Sequence, residues 1–108
     1  MKFVLVLTAL VSTASAWRCT AERFKPTVKG NCASGHKAGD QNEGDSCSDK
    51  HPDSCYFKSP SSAGDSNCRI QVSSGSGCNP ATIIGVVYCN SSAAVFSDAD
   101  ASYVVLCD

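Results

Sequence analysis

Aromatic side chains are scarce in this chain, at 7% of residues, and charged ones reach only 18%. Beyond residue 16 no apolar run approaches the about 20 residues of a membrane-spanning helix. The longest, residues 83–89, is broken by Gly85. No Cys-x-x-Cys occurs, so the close thiolate pairs of a structural zinc site are missing. The Gly-x-Ser-x-Gly elbow of the larger serine hydrolases is missing as well. There is no basic excess: the formal net charge is −1, which excludes the electrostatic footprint of a nucleic-acid binder. The acidic stretch lacks the closing Glu of a calcium-binding EF-hand loop, and its glycine, Gly44, falls one residue early. No cofactor, metal or nucleic acid is therefore expected.

What is present begins with a leader. Lys2 precedes the apolar stretch Phe3–Val11, interrupted only by Thr8, and Ala14-Ser15-Ala16 has the small-x-small form cleaved by signal peptidase. Residues 1–16 read as a secretory signal peptide and residues 17–108 as a single domain starting at Trp17. The expected product is secreted, extracellular and monomeric. It keeps 8 basic and 10 acidic side chains in 92 residues, and only 18 large apolar ones. So thin a core calls for covalent staples. All eight cysteines follow the leader: Cys19, Cys32, Cys47, Cys55, Cys68, Cys78, Cys89 and Cys107. An even count in an oxidising compartment predicts four disulfides, and the wide spacing predicts bridges between separate strands. Their connectivity is open.

Turn chemistry divides the rest. Thr82–Cys89, Ala93–Ser97 and Ser102–Cys107 read as three strands of a meander, with shorter strands at residues 55–58 and 69–72. The expected fold is a small disulfide-rich antiparallel β domain. The alternative is a small α+β sandwich with a helix near residues 80–89, because Asn79-Pro80 is a good helix start. Against the helix, five of the six residues Ile83–Tyr88 are β-branched or aromatic. Residues 38–53 are almost free of apolar side chains and read as a loop. No internal repeat is visible.

Charge is segregated. Arg18, Arg23, Lys25, Lys29 and Lys37 face Glu22 alone within residues 17–37, a local net of +4. Residues 38–53 carry Asp40, Glu43, Asp45, Asp49 and Asp53 against Lys50, a net of −4. A rigid sheet presenting polar loops is the usual arrangement for recognition. Arg23, Lys25, Lys29 and Lys37 are accordingly the expected partner contacts, although the acidic stretch of the same chain could take them instead. Asp40, Asn42, Asp45 and Asp49 offer oxygen ligands, but at the wrong spacing for a calcium loop. His36, His51, Glu22, Glu43 and three arginines are the residue types of a small ribonuclease, yet both histidines lie in loop-like sequence, so no catalysis is expected. Asn90-Ser91-Ser92 is an N-glycosylation sequon at a predicted turn.

This organisation resembles fungal small secreted cysteine-rich proteins of the candidate-effector type. The residues that carry the likeness are the short leader, the eight cysteines and Trp17-Arg18-Cys19 behind the cleavage site. That triplet looks like the [Tyr/Phe/Trp]-x-Cys motif near the mature N-terminus of many mildew and rust effector candidates, where it accompanies ribonuclease-like folds without catalytic residues. The resemblance implies a non-catalytic virulence protein binding a host or extracellular protein or glycan in the space outside the cell. A fainter likeness is to small fungal antifungal proteins, carried by Cys55-Tyr56-Phe57-Lys58, Ala63-Gly64-Asp65 and the terminal Cys107-Asp108. It implies an antifungal or killer-toxin-like polypeptide as the alternative, with a secreted ribonuclease or other hydrolase as a third.

Overall fold

The computed structural model describes residues 17–28, 31–33, 35–97 and 100–108. The expected leader and Lys29 lie outside these. Among the described residues eight strands run in order: β1 (Thr20–Lys25), β2 (His36–Asn42), β3 (Ser48–His51), β4 (Tyr56–Lys58), β5 (Cys68–Ser74), β6 (Ile83–Tyr88), β7 (Ala94–Phe96) and β8 (Ala101–Cys107). They form two four-stranded sheets, in the orders β2-β1-β4-β7 and β3-β8-β5-β6. Every strand pairing is antiparallel. The protein is a small disulfide-rich β domain, as its cysteine density and strand pattern predict.

The connections follow a rule invisible in the sequence. In each half of the chain the first two strands form a hairpin and the fourth returns beside the first, a Greek-key path. The third strand crosses to the other half's sheet: β3 edges the second sheet and β7 the first. The two halves are thus structural repeats that exchange a strand. This corrects the meander order expected for the last three strands. They form close to the expected limits, but β6 pairs with β5, β7 with β4, and β8 with β5 and β3.

Two more local expectations change. Asn79 does cap a helical turn, its side chain accepting from the Ala81 amide, but the turn is a single 3₁₀ segment, Pro80–Thr82. The β-branched run behind it extends into β6, so strand propensity prevails over the cap. Residues 38–53 are not one loop, since they contain most of β2 and all of β3. Both are edge strands, where one side of the backbone faces water and no side chain is fully buried. There polar residues are suitable, and apolar periodicity gives no signal. His36 and His51 accordingly stand at strand ends.

The core lies between the sheets. Ala21, Phe57 and Val95 point inward from the first sheet; Ile70, Val72, Val87, Ala101, Tyr103 and Val105 point inward from the second. The Phe57 and Tyr103 rings meet at 4.9 Å. Four disulfides form, Cys19–Cys89, Cys32–Cys55, Cys47–Cys78 and Cys68–Cys107, and Cys19, Cys68 and Cys89 belong to this core. Cys19–Cys89 joins the start of β1 to the end of β6, fastening one sheet to the other. Cys47–Cys78 ties the β2–β3 turn to the β5–β6 connection, and Cys32–Cys55 ties the β1–β2 connection to the entry of β4. Cys68–Cys107 links register partners on adjacent strands of the second sheet.

Candidate functional site

The basic residues of β1 and β2 are absorbed by the chain's own acids. Arg23 points inward and its side chain is 12% exposed. Its Nη1 donates to Ser54 Oγ at 3.3 Å and lies 3.6 Å from Asp53. Lys25 reaches the same carboxylate at 3.8 Å. Lys37 sits between Glu22 at 3.2 Å and Asp40 at 3.0 Å; hydrogen bonding to Asp40, then to Glu22, raises its pKa above the usual lysine value. Of the acidic stretch, Asp53 therefore takes Arg23 and Lys25 through the β3–β4 turn and Asp40 takes Lys37 within β2, whereas Arg18 pairs with Asp65 farther along the chain. Arg23, Lys25 and Lys37 do not form an open cationic patch.

The four oxygen donors of the acidic stretch are also employed separately. Asp40 pairs with Lys37, the Asn42 side chain accepts from Thr20, Asp45 accepts from the Asn42 amide, and Asp49 accepts from the Gly77 amide. Among the described residues no group of three or more His, Cys, Asp or Glu side chains is placed to hold a metal ion.

One polar cluster joins the two sheets. Ser48 Oγ lies 2.8 Å from His51 Nε2 on β3. Ser48 is the register partner of Tyr103 on β8, and Arg23 approaches the same phenol from β1. Burial lowers the His51 pKa and the Arg23 charge lowers it further, so the imidazole is neutral at pH 7. Burial raises the Tyr103 pKa, against opposing contributions from the Ser48 and Arg23 hydrogen bonds. A serine paired with a neutral histidine is the start of a nucleophile–base arrangement. Neither residue lines either of the two hollows described below; Ser48 also hydrogen-bonds the Tyr103 phenol, and the His51 ring lies 5.9 Å from the Tyr103 ring, across the β3–β8 pairing.

The outer face of the first sheet carries a feature that linear reading missed. Phe24, Tyr56 and Phe96 are direct cross-strand partners on β1, β4 and β7. Phe24 and Tyr56 stack at 4.7 Å, and Tyr56 meets Phe96 at 5.8 Å. Lys58 Nζ stands 5.9 Å over the Phe24 ring. Phe96, at the sheet edge, is 71% exposed. Beside it lies a hollow of about 410 Å³ lined by Cys32, Cys55, Phe96 and Ser97. A second hollow, of about 290 Å³, runs between Trp17–Thr20 and the segment Ser59–Gly64. Two of its lining residues, Arg18 and Cys19, donate their amides to the Glu43 carboxylate at 2.8 and 3.0 Å. Burial would raise the Glu43 pKa, but those amides, its own amide and the Arg18 charge together hold the carboxyl below its usual value.

Asn90 is exposed in the turn that leaves β6, a position open to a glycan. Comparison with protein-family models, with curated proteins and with solved structures finds no match.

Proposed function

We propose that this is a secreted, non-catalytic binding protein of the fungal effector type, recognising an extracellular protein or glycan through the aromatic row of the first sheet. The observation that carries the reading is Phe96: an aromatic ring 71% exposed, in register with two further rings, beside a hollow walled by the Cys32–Cys55 disulfide. Large exposed aromatics on a cross-linked support are what recognition surfaces use, because a rigid ring loses little entropy on binding. Arg23 lies inward of this surface, and Lys25 and Lys37 are engaged by Asp53, Glu22 and Asp40.

The test is co-sedimentation with insoluble chitin, cellulose and β-glucan, together with capture of host extracellular proteins, for the parent and two variants. F96A should weaken retention at least tenfold, whereas the double variant K25E/K37E should retain the partner. The opposite pattern returns recognition to the basic residues, and retention by both variants rejects both surfaces. A second reading, a small hydrolase, is favoured by the Ser48–His51 contact alone. Activity on RNA or glycans that falls a hundredfold or more in both S48A and H51A would establish it.

A further inference from the structure

A different surface suggests a different partner. The second sheet ends in β6, which pairs with β5 on one side and with no strand on the other among the described residues. An unpaired strand edge is a template for another strand, and proteins usually blunt it with charge, proline, shortness or a bulge. The other three edges of this protein are blunted. β2 carries Lys37 and Asp40, β3 has four residues including Asp49 and Lys50, and β7 has three residues. β6 has six residues, IIGVVY, with no charge and no proline; its one irregularity is at its start, where the register shifts so that Ser73 pairs with Ile83, and from Gly85 to Tyr88 it is regular.

Its outward face is also apolar. Ile84, Val86 and Tyr88 alternate along the strand and are 44%, 43% and 51% exposed. Gly85 and Val87 point the other way, Gly85 against Val95 of the first sheet. Such a strand is complementary to itself. Laid antiparallel on a copy of itself with Val86 opposite Val86, it brings Ile84 opposite Tyr88 and Tyr88 opposite Ile84 on the same face. Aromatic against β-branched is a favourable cross-strand pair, and no like charges meet.

We infer that two copies of this chain associate through β6, antiparallel about Val86, joining their second sheets into one continuous eight-stranded sheet. This is a closed, two-fold contact. Three side chains and one strand edge cover only part of the about 800 Å² per partner in a standard interface. The dimer therefore belongs to the weak, concentration-dependent class, in which main-chain hydrogen bonds carry much of the contact. The sequence, read alone, points to a monomer because nothing in it shows which strand is left at an edge. Asn90 falls opposite Thr82 of the second copy, just past the paired residues, so a glycan there would stand at the end of the contact.

The test is sedimentation equilibrium of the oxidised protein bearing N90Q, which removes the sequon. Between about 10 µM and 1 mM, a span suited to weak contacts, the mass should rise from one chain toward two. V86K and V86E should each raise the dimer dissociation constant at least tenfold, while keeping the parent's near-ultraviolet dichroism and its four disulfides. An equimolar mixture of the two should restore dimers, because residue 86 meets its own counterpart. F96S, on the other sheet, should leave the association unchanged. A parent that stays monomeric at 1 mM, a V86K protein that dimerises like the parent, a mixture that fails to associate, or loss of dimers in F96S would each overturn the inference. So would open-ended growth beyond two chains.

Discussion

At the scale of single residues, close approach sets the constraints. A Cβ added at Gly64 would lie 2.5 Å from the Cys89 carbonyl oxygen, a backbone atom held by a disulfide. A Cβ added at Gly85 would meet the Val95 side chain at 2.6 Å, and a valine methyl has more room to turn aside. Both substitutions by alanine should destabilise, by about 1–3 kcal/mol, with G64A the costlier. Paired urea melts check the order; a neutral G64A would show that the β4–β5 connection is looser than described. Arg23 is a different case. It is an inward-facing cation tied to Ser54 and Asp53, and its Nε has no hydrogen-bond partner among the described residues. R23M removes that unpaired donor but leaves Asp53 with Lys25 alone. Losing a hydrogen bond to a charged group should lower stability by about 1.5–3 kcal/mol, read as a fall in the urea midpoint at unchanged slope.

At the scale of elements, the disulfides differ in what they join. Cys19–Cys89 closes a separation of 70 residues and fastens one sheet to the other, and both cysteines are buried. Cys32–Cys55 closes only 23, and Cys32 is exposed. Loop-closure entropy alone makes the longer bridge worth about 1 kcal/mol more, and the emptied core site adds to that. The double variant C19S/C89S should therefore lose more stability than C32S/C55S. Equal losses would mean that the unfolded chain is already compact across the longer loop. The same reasoning explains the edge strands β2 and β3: their polar residues are held by pairing on one side and by the Cys47–Cys78 bridge at the turn between them.

At the scale of the whole molecule, stability should have a plateau near neutral pH with losses on both sides. His51 has a lowered folded pKa, so the unfolded chain binds its proton more tightly and stability falls as pH drops through about 6.5 and below. Glu43 and Asp65 also have lowered folded values. Burial acts against the amide bonds at Glu43, whereas at Asp65 the Asn67 amide leads and Arg18 adds to it. Their contribution is present above the usual carboxylate range and is lost as pH falls through about 4 and below. On the alkaline side Lys37 and Tyr103 have raised folded values, so stability falls as pH rises past about 10. Thermal melts across pH 3–11 read the profile, and H51A should remove the loss near pH 6. All eight cysteines are paired, so alkylation without reductant should add no mass to the intact protein, and reduction should abolish the cooperative transition.

The class of molecule follows from composition and local pattern. Eight cysteines with a thin apolar complement imply a cross-linked domain, and the β-branched runs at residues 70–72, 83–88 and 103–106 are strands because alternation and branching are local properties. Everything that depends on which strands become neighbours follows from the chain's path in space. The strand exchange between halves, the pairing of the cysteines, the polar edges β2 and β3, the meeting of Ser48 with Tyr103 and the row Phe24–Tyr56–Phe96 all bring together residues from distant parts of the chain. The same holds for the basic segment. Read linearly it offers either a binding surface or a match for the acidic stretch; folded, the antiparallel register of β1 with β2 sets Lys37 near Glu22, and the turn after β3 brings Asp53 to Arg23 and Lys25. Composition sets how much charge, apolar surface and sulfur there is to arrange. Which of it remains exposed is decided by register, because a residue's neighbours across a sheet are chosen by chain topology and not by its neighbours in sequence.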